Sequence, residues 1–308
     1  MAVAVACTEN GAAPAPEATG VAWRSLSPAP TARTEVGAAV LAGRIYVTGG
    51  FASPDGATVP TLEVYDIAAD RWEAGPSLPV GVNHAMSVAH DGVVYVFGGS
   101  LAQAGPSDRA FALRDGAWEE LPRMPEPRTA GGAAVAAGRI YVVGGVGEDG
   151  VAEAAMAFDP ATGSWSTEPG LLQAREHMGV AGFEDLIYAI GGRAGSLAGF
   201  PDAEVFHPDE QTWSPLPDLP TPRGGMAATA TSNGFVVAVG GEEEGGTFDE
   251  AEAFDIQAGR WLALPPIPTP RHGLGVVADG TTVYVVAGGP EPGLFFSPAL
   301  EAIDLASL

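Results

Sequence analysis

Residues 128–145 read RTAGGAAVAAGRIYVVGG, and this stretch decides the fold. An Arg is followed by a run of small apolar residues, Gly132 to Ala136, and then by a turn signal at Gly138. A β-branched and aromatic run, Ile140-Tyr141-Val142-Val143, ends in the pair Gly144-Gly145. Two short apolar runs around a Gly turn read as a β-hairpin.

The same pattern recurs along the chain. Gly pairs close apolar runs at Gly49-Gly50, Gly98-Gly99, Gly144-Gly145, Gly191-Gly192, Gly240-Gly241 and Gly288-Gly289, at spacings of 49, 46, 47, 49 and 48 residues. The six tryptophans, Trp23, Trp72, Trp118, Trp165, Trp213 and Trp261, keep the same beat. Ten residues after each stands Arg33, Val82, Arg128, Arg175, Arg223 or Arg271. Beyond each Gly pair lies a variable loop, then a segment such as Glu63-Val64-Tyr65-Asp66, then a tight turn into the Trp. Each unit therefore predicts four antiparallel strands, a to d.

Four short strands per 46–49 residues, six times over, predict an all-β fold, a six-bladed β-propeller of four-stranded antiparallel blades. The period and the Gly-pair, Tyr and Trp set resemble the kelch repeat over residues 21–308. Trp23 reads as a strand d with no a to c before it, and the last unit stops at Glu301-Ala302-Ile303-Asp304 without a Trp. The N-terminal strand is therefore expected to complete the last blade and remove an open sheet edge. Residues 1–20, MAVAVACTENGAAPAPEATG, read as a flexible leader. Ala4-Val5-Ala6-Cys7 is similar to the end of a lipoprotein signal, with a harmless Ala-rich leader as the other reading.

Composition excludes several functions. The formal net charge is -24, with 38 acids against 14 bases, which disfavours nucleic acid and anionic membranes. Every base is Arg, so lysine chemistry is absent. With a single Cys, Cys7, there is no intrachain disulfide and no cysteine-rich metal site. No transmembrane segment is legible. The Ala-, Gly- and Arg-rich composition suggests a GC-rich bacterial genome. An exported or surface-tethered monomer is expected, with the cytoplasm as the alternative location.

The Trps are expected to fill the wedges between blades. Glu63, Glu204, Glu252 and Glu301 recur two positions before the strand-c aromatic, with Arg109 in that slot in unit 2 and Met156 in unit 3. Arg–Glu pairs within units are the structural expectation, and Arg128 is expected to be exposed or paired with an unrepeated acid.

The resemblance implies that d–a and b–c loops share one face, around the mouth of the central channel. The binding candidates there are Arg128, Arg175, Arg223, Arg271, His84, His177, His272, Glu35 and Glu176. An Arg-lined mouth would suit a carboxylate or phosphate. His84, His177 and His272 fall in alternate units, so a three-His metal site is one reading. Polar funnel residues are the reading adopted, with no metal and no cofactor expected. The copper-oxidase chemistry of some kelch propellers requires a Cys cross-linked to Tyr, which this chain lacks outside its leader. The functional expectation is a non-enzymatic module binding a protein or glycan through the loop face. The alternative is a sugar-acid mutarotase or epimerase.

Overall fold

The computed structural model describes residues 15–52, 54–102 and 104–308. Cys7, and with it the lipoprotein reading, lies outside them. All regular structure among the described residues is β-strand. Among the described residues no helix is long and apolar enough to cross a membrane.

Among the described residues there are six four-stranded antiparallel sheets. In the third unit the strands are Gly132–Ala136, Arg139–Val143, Ala155–Asp159 and Ser164–Glu168, hydrogen-bonded in that order. The small-residue strand comes first in each sheet and lies against its counterparts in the neighbouring units. Small side chains are what let these strands approach. At Gly132 a Cβ would meet the Val180 side chain at 2.3 Å, and at Gly275 it would meet Ala38 at 2.5 Å. The Gly pairs serve the exit from the second strand. Gly98 has a φ of +58°, and a Cβ there would sit 2.1 Å from the Arg128 carbonyl, so a side chain is excluded by both backbone and space.

Each Trp packs across the strand pair on the third strand. Phe158 faces Trp165, Phe206 faces Trp213 and Phe254 faces Trp261, with ring centroids 5.1 to 5.3 Å apart. Each indole N–H then donates to the preceding unit. Trp72 bonds Ser27 O, Trp118 bonds Pro76 O, Trp165 bonds Pro122 O, Trp213 bonds Pro169 O and Trp261 bonds Pro217 O. Trp213 and Trp261 are buried, and the other four are only partly so. The wedge Trps thus act as hydrogen-bonded staples as much as core filler.

The first described strand pairs with the last. Arg24–Ser25 pairs with Leu300–Asp304 in the register Arg24 to Ala302 and Ser25 to Glu301. The Trp23 indole donates to Pro265 O at 2.7 Å. Pro16 and Ala18, assigned to the leader by composition, hydrogen-bond Ala263 on the last strand of the fifth sheet.

Candidate functional site

The repeated Arg is buried in all five units that have it. Arg33, Arg128, Arg175, Arg223 and Arg271 each expose 0%. Their guanidiniums satisfy carbonyls where the second strand leaves its sheet: Arg33 bonds Gly49 O, Arg128 bonds Gly144 O and Arg223 bonds Gly240 O. Four of them pair with the strand-c acid of their own unit, Arg33 with Glu63, Arg175 with Glu204, Arg223 with Glu252 and Arg271 with Glu301. Arg128 pairs at 3.2 Å with Glu126, an acid two residues before it that no other unit repeats. These cations are not presented to a ligand, so Arg128, Arg175, Arg223 and Arg271 do not line a mouth.

Unit 2 differs from the sequence reading. Its last hairpin turns on only two residues, Asp115-Gly116, so Leu113 faces Trp118. The acid slot therefore falls on Phe111 and not on Arg109, which instead pairs with Glu120 at the surface. The unit that lacks the Arg also lacks the acid: Val82 and Phe111 pack in one apolar cluster.

The functional geometry begins two residues after the Arg slot. That slot holds Glu35, His84, Ala130, His177, Gly225 and Gly273, and all six adopt a left-handed backbone, with φ between 51° and 71°. The conformation turns each N–H toward the preceding unit. Glu35 N donates to Gly273 O, Gly273 to Gly225, Gly225 to His177, His177 to Ala130, Ala130 to His84, and His84 back to Glu35 O, at 2.7 to 3.1 Å. A non-Gly residue held left-handed is strained by about 1–2 kcal/mol, and this hydrogen-bonded circuit holds four of them.

Glu35, His84 and His177 project from that circuit and line one end of a cavity of about 260 Å³. The rest of its wall is small and apolar, including Ala38, Met86, Ala133, Val180, Ala228 and Val276. His84 Nε2 lies 3.2 Å from Glu35, and the His84 and His177 rings meet edge to face at 5.0 Å. His84 Nδ1 contacts the Asn83 side-chain oxygen at 2.6 Å, and Asn83 in turn donates to Thr58. His177 Nδ1 is turned to Glu176. Burial is the main influence on His177 and pushes it down to about 3, so the ring is neutral at pH 7. Burial alone would raise the Glu35 carboxyl, but His84, His272 and His177 outweigh it and hold it well below the usual carboxylate range.

His272 does not complete a threefold set. It stands one residue after its Arg, where His84 and His177 stand two after their slot residue, and the matching position in its own unit is Gly273. Its Nε2 faces the carbonyls of Glu291 and Gly293 at 3.1 Å, while Nδ1 faces Glu35 at 3.3 Å and Glu242 at 3.6 Å. Burial opposes its charge, but these acceptors raise its pKa. Glu176 and Glu242 are bridged by Arg193, at 3.4 and 2.8 Å. By sequence Glu242-Glu243-Glu244 reads as a solvated charge run, but Glu242 is buried against Arg193, which lies just past a Gly pair in a variable loop and carries no sequence signal. At backbone level Thr129 bridges Val146, Glu176 bridges Arg193 and Gly224 bridges Glu242, joining d–a to b–c segments.

The comparisons with known proteins agree with this architecture. Residues 35–218 match the KLHDC2/KLHL20/DRC7 Kelch-repeats domain family. The chain belongs to this kelch-repeat family. It is 27% identical over 172 residues to Kelch-like protein 41a of Danio rerio, covering 55% of this chain and 29% of that protein. It is 30% identical over 179 residues to Kelch-like protein terF of Aspergillus terreus, covering 52% of this chain and 39% of that one. With Kelch-like protein 40 of Xenopus tropicalis the identity is 29% over 175 residues, with coverage of 56% and 28%. The matches thus span well under half of these relatives' length. All three come from animals or a fungus, so they lend no support to the bacterial origin suggested by composition. In this kelch-repeat chain the markers that carry the likeness, Gly pairs and Trps, build the scaffold, while the Glu35–His84–His177 group is set on top of it.

Proposed function

We propose that the six sheets are the blades of one propeller, closed where Arg24–Ser25 joins Leu300–Asp304, and that this propeller is a protein-interaction module acting through its d–a and b–c loops. Closure is supported by the circuit of hydrogen bonds that returns from Gly273 to Glu35. The loop face is supported by one observation above others. The exposed large apolar side chains among the described residues, Leu172, Leu294 and Phe295, all lie in d–a or b–c loops. Exposed apolar groups on loops of a rigid scaffold mark contact surfaces for protein partners. The sugar-acid alternative drew on free arginines at the mouth, and those arginines are buried against carbonyls and acids.

The test is a charge scan of these loops. Partners captured by cross-linking to the wild-type chain are compared with those of a triple variant, Leu172→Asp, Leu294→Asp and Phe295→Asp. The expected result is loss of a defined partner at unchanged Tm. A partner retained at full yield by the triple variant, or a Tm increase with a sugar acid, would contradict this reading.

A further inference from the structure

We propose that His84, His177 and Glu35 form a binding site for a divalent transition-metal ion of the zinc type, at the end of the central cavity. This goes beyond the protein-interaction reading and does not depend on it. The three residues each offer a ligand atom, and these atoms all lie within 4.8 Å of one another. Two imidazoles and one carboxylate are a donor set suited to such an ion, with a further position left for water.

The orientation of the ligands carries the argument. The Asn83 amide donates through its nitrogen to Thr58, so its oxygen faces His84 and takes the Nδ1 proton. That assigns a proton to Nδ1 and leaves Nε2 facing a carboxylate oxygen of Glu35 3.2 Å away. Two such atoms need a positive charge between them, which a metal ion supplies as a proton would. His177 repeats the device, with Nδ1 turned to Glu176, which leaves Nε2 as the ligand. Carboxylate or carbonyl groups behind a ligating imidazole are the usual second layer of a metal site.

The local charge balance points the same way. Three carboxylates, the part-buried Glu35 and the buried Glu176 and Glu242, converge on this end of the cavity. Arg193 and His272 are the basic groups that face them from the neighbouring loops. The cavity provides an approach that does not require the circuit of backbone bonds to open.

The site is tested with the full chain, without an affinity tag, by equilibrium dialysis against Zn²⁺ and by the visible absorption of added Co²⁺. One ion per chain is expected, with the intense absorption of a low-coordinate Co²⁺ site. Glu35→Gln, His84→Ala and His177→Ala are each expected to weaken binding at least 10-fold. Asn83→Leu, which frees His84 to rotate, should weaken it about 10–100-fold. His90→Ala and His207→Ala, away from the cavity, should bind as wild type. Circular dichroism identifies any variant that fails to fold, and Glu35→Gln, which keeps the side-chain volume, serves as the decisive one. Sub-stoichiometric uptake, or uptake that survives Glu35→Gln and His84→Ala, would overturn the proposal and leave a proton as the charge between His84 and Glu35.

Discussion

Removal of residues 1–26 is expected to destroy cooperative folding rather than merely to lower stability. The deletion strips Arg24–Ser25 from the edge of Leu300–Asp304 and removes the Trp23 bond to Pro265 O. It also removes Val21 and Trp23 from the cluster that includes Ile303 and Leu305, and Leu26 from the cluster around Leu300 and Ala302. Loss of a well-packed aromatic side chain alone costs about 3–5 kcal/mol, against a total stability of about 5–15 kcal/mol for a typical domain. The strand left bare carries Leu300, Ala302 and Ile303, each at most 1% exposed in the intact fold. A free, apolar strand edge pairs with other chains. Light scattering should find the truncated chain in oligomers, and urea unfolding should lose its single sigmoid. A monomeric truncated chain with the wild-type midpoint would count against closure by this strand.

The second large effect concerns the buried ion pairs. Glu63→Leu should destabilise the chain by about 3–5 kcal/mol, because it leaves Arg33 charged and fully buried without its acid. The native pair is well satisfied. Glu63 accepts from Arg33 at 2.8 Å and from Thr31 at 2.7 Å, and Arg33 also donates to Gly49 O. Unit 2 supplies the control, since Val82 and Phe111 occupy the same two slots with no charge at all. The double substitution Arg33→Val with Glu63→Phe should therefore recover most of the loss, as buried ion pairs often exchange with apolar pairs at little net change. Glu126→Gln should cost less than about 1 kcal/mol, because the Glu126 side chain is 63% exposed and water can replace it. Urea unfolding of these variants gives the energies, and adding the single variants Arg33→Val and Glu63→Phe gives the coupling between the two slots. A double variant no better than Glu63→Leu would mean that the Arg bonds to carbonyls, and not the charge pairing, hold the unit.

The scaffold was legible because it repeats. Six Gly pairs, six Trps and five Args in phase leave few alternatives, and the Arg–Glu pairing followed from two slots recurring together. The errors arose where register depends on a turn. A two-residue hairpin at Asp115-Gly116 moved the acid slot of unit 2 from Arg109 to Phe111. Counting alternate units grouped His272 with His84 and His177, whereas counting offset from the Arg slot selects Glu35. That offset was present in the sequence, but its meaning lies in a left-handed backbone that no residue type announces, since Glu, His and Ala occupy it as well as Gly. The pairing of Arg193 with Glu242 was not legible, because both come from loops without a repeat, in adjacent units, and the acidic run that Glu242 opens reads as solvated charge.

The central claim is that the two ends of the chain close one continuous ring, and native-state hydrogen exchange tests it most directly. The amides of Glu35, His84, Ala130, His177, Gly225 and Gly273 each donate to the preceding unit, and of these six bonds it is that of Glu35 to Gly273 that joins the first unit to the last. A closed ring predicts that all six exchange with a single opening free energy, close to that of global unfolding. Exchange at Glu35 that is faster than at the other five by orders of magnitude would contradict it.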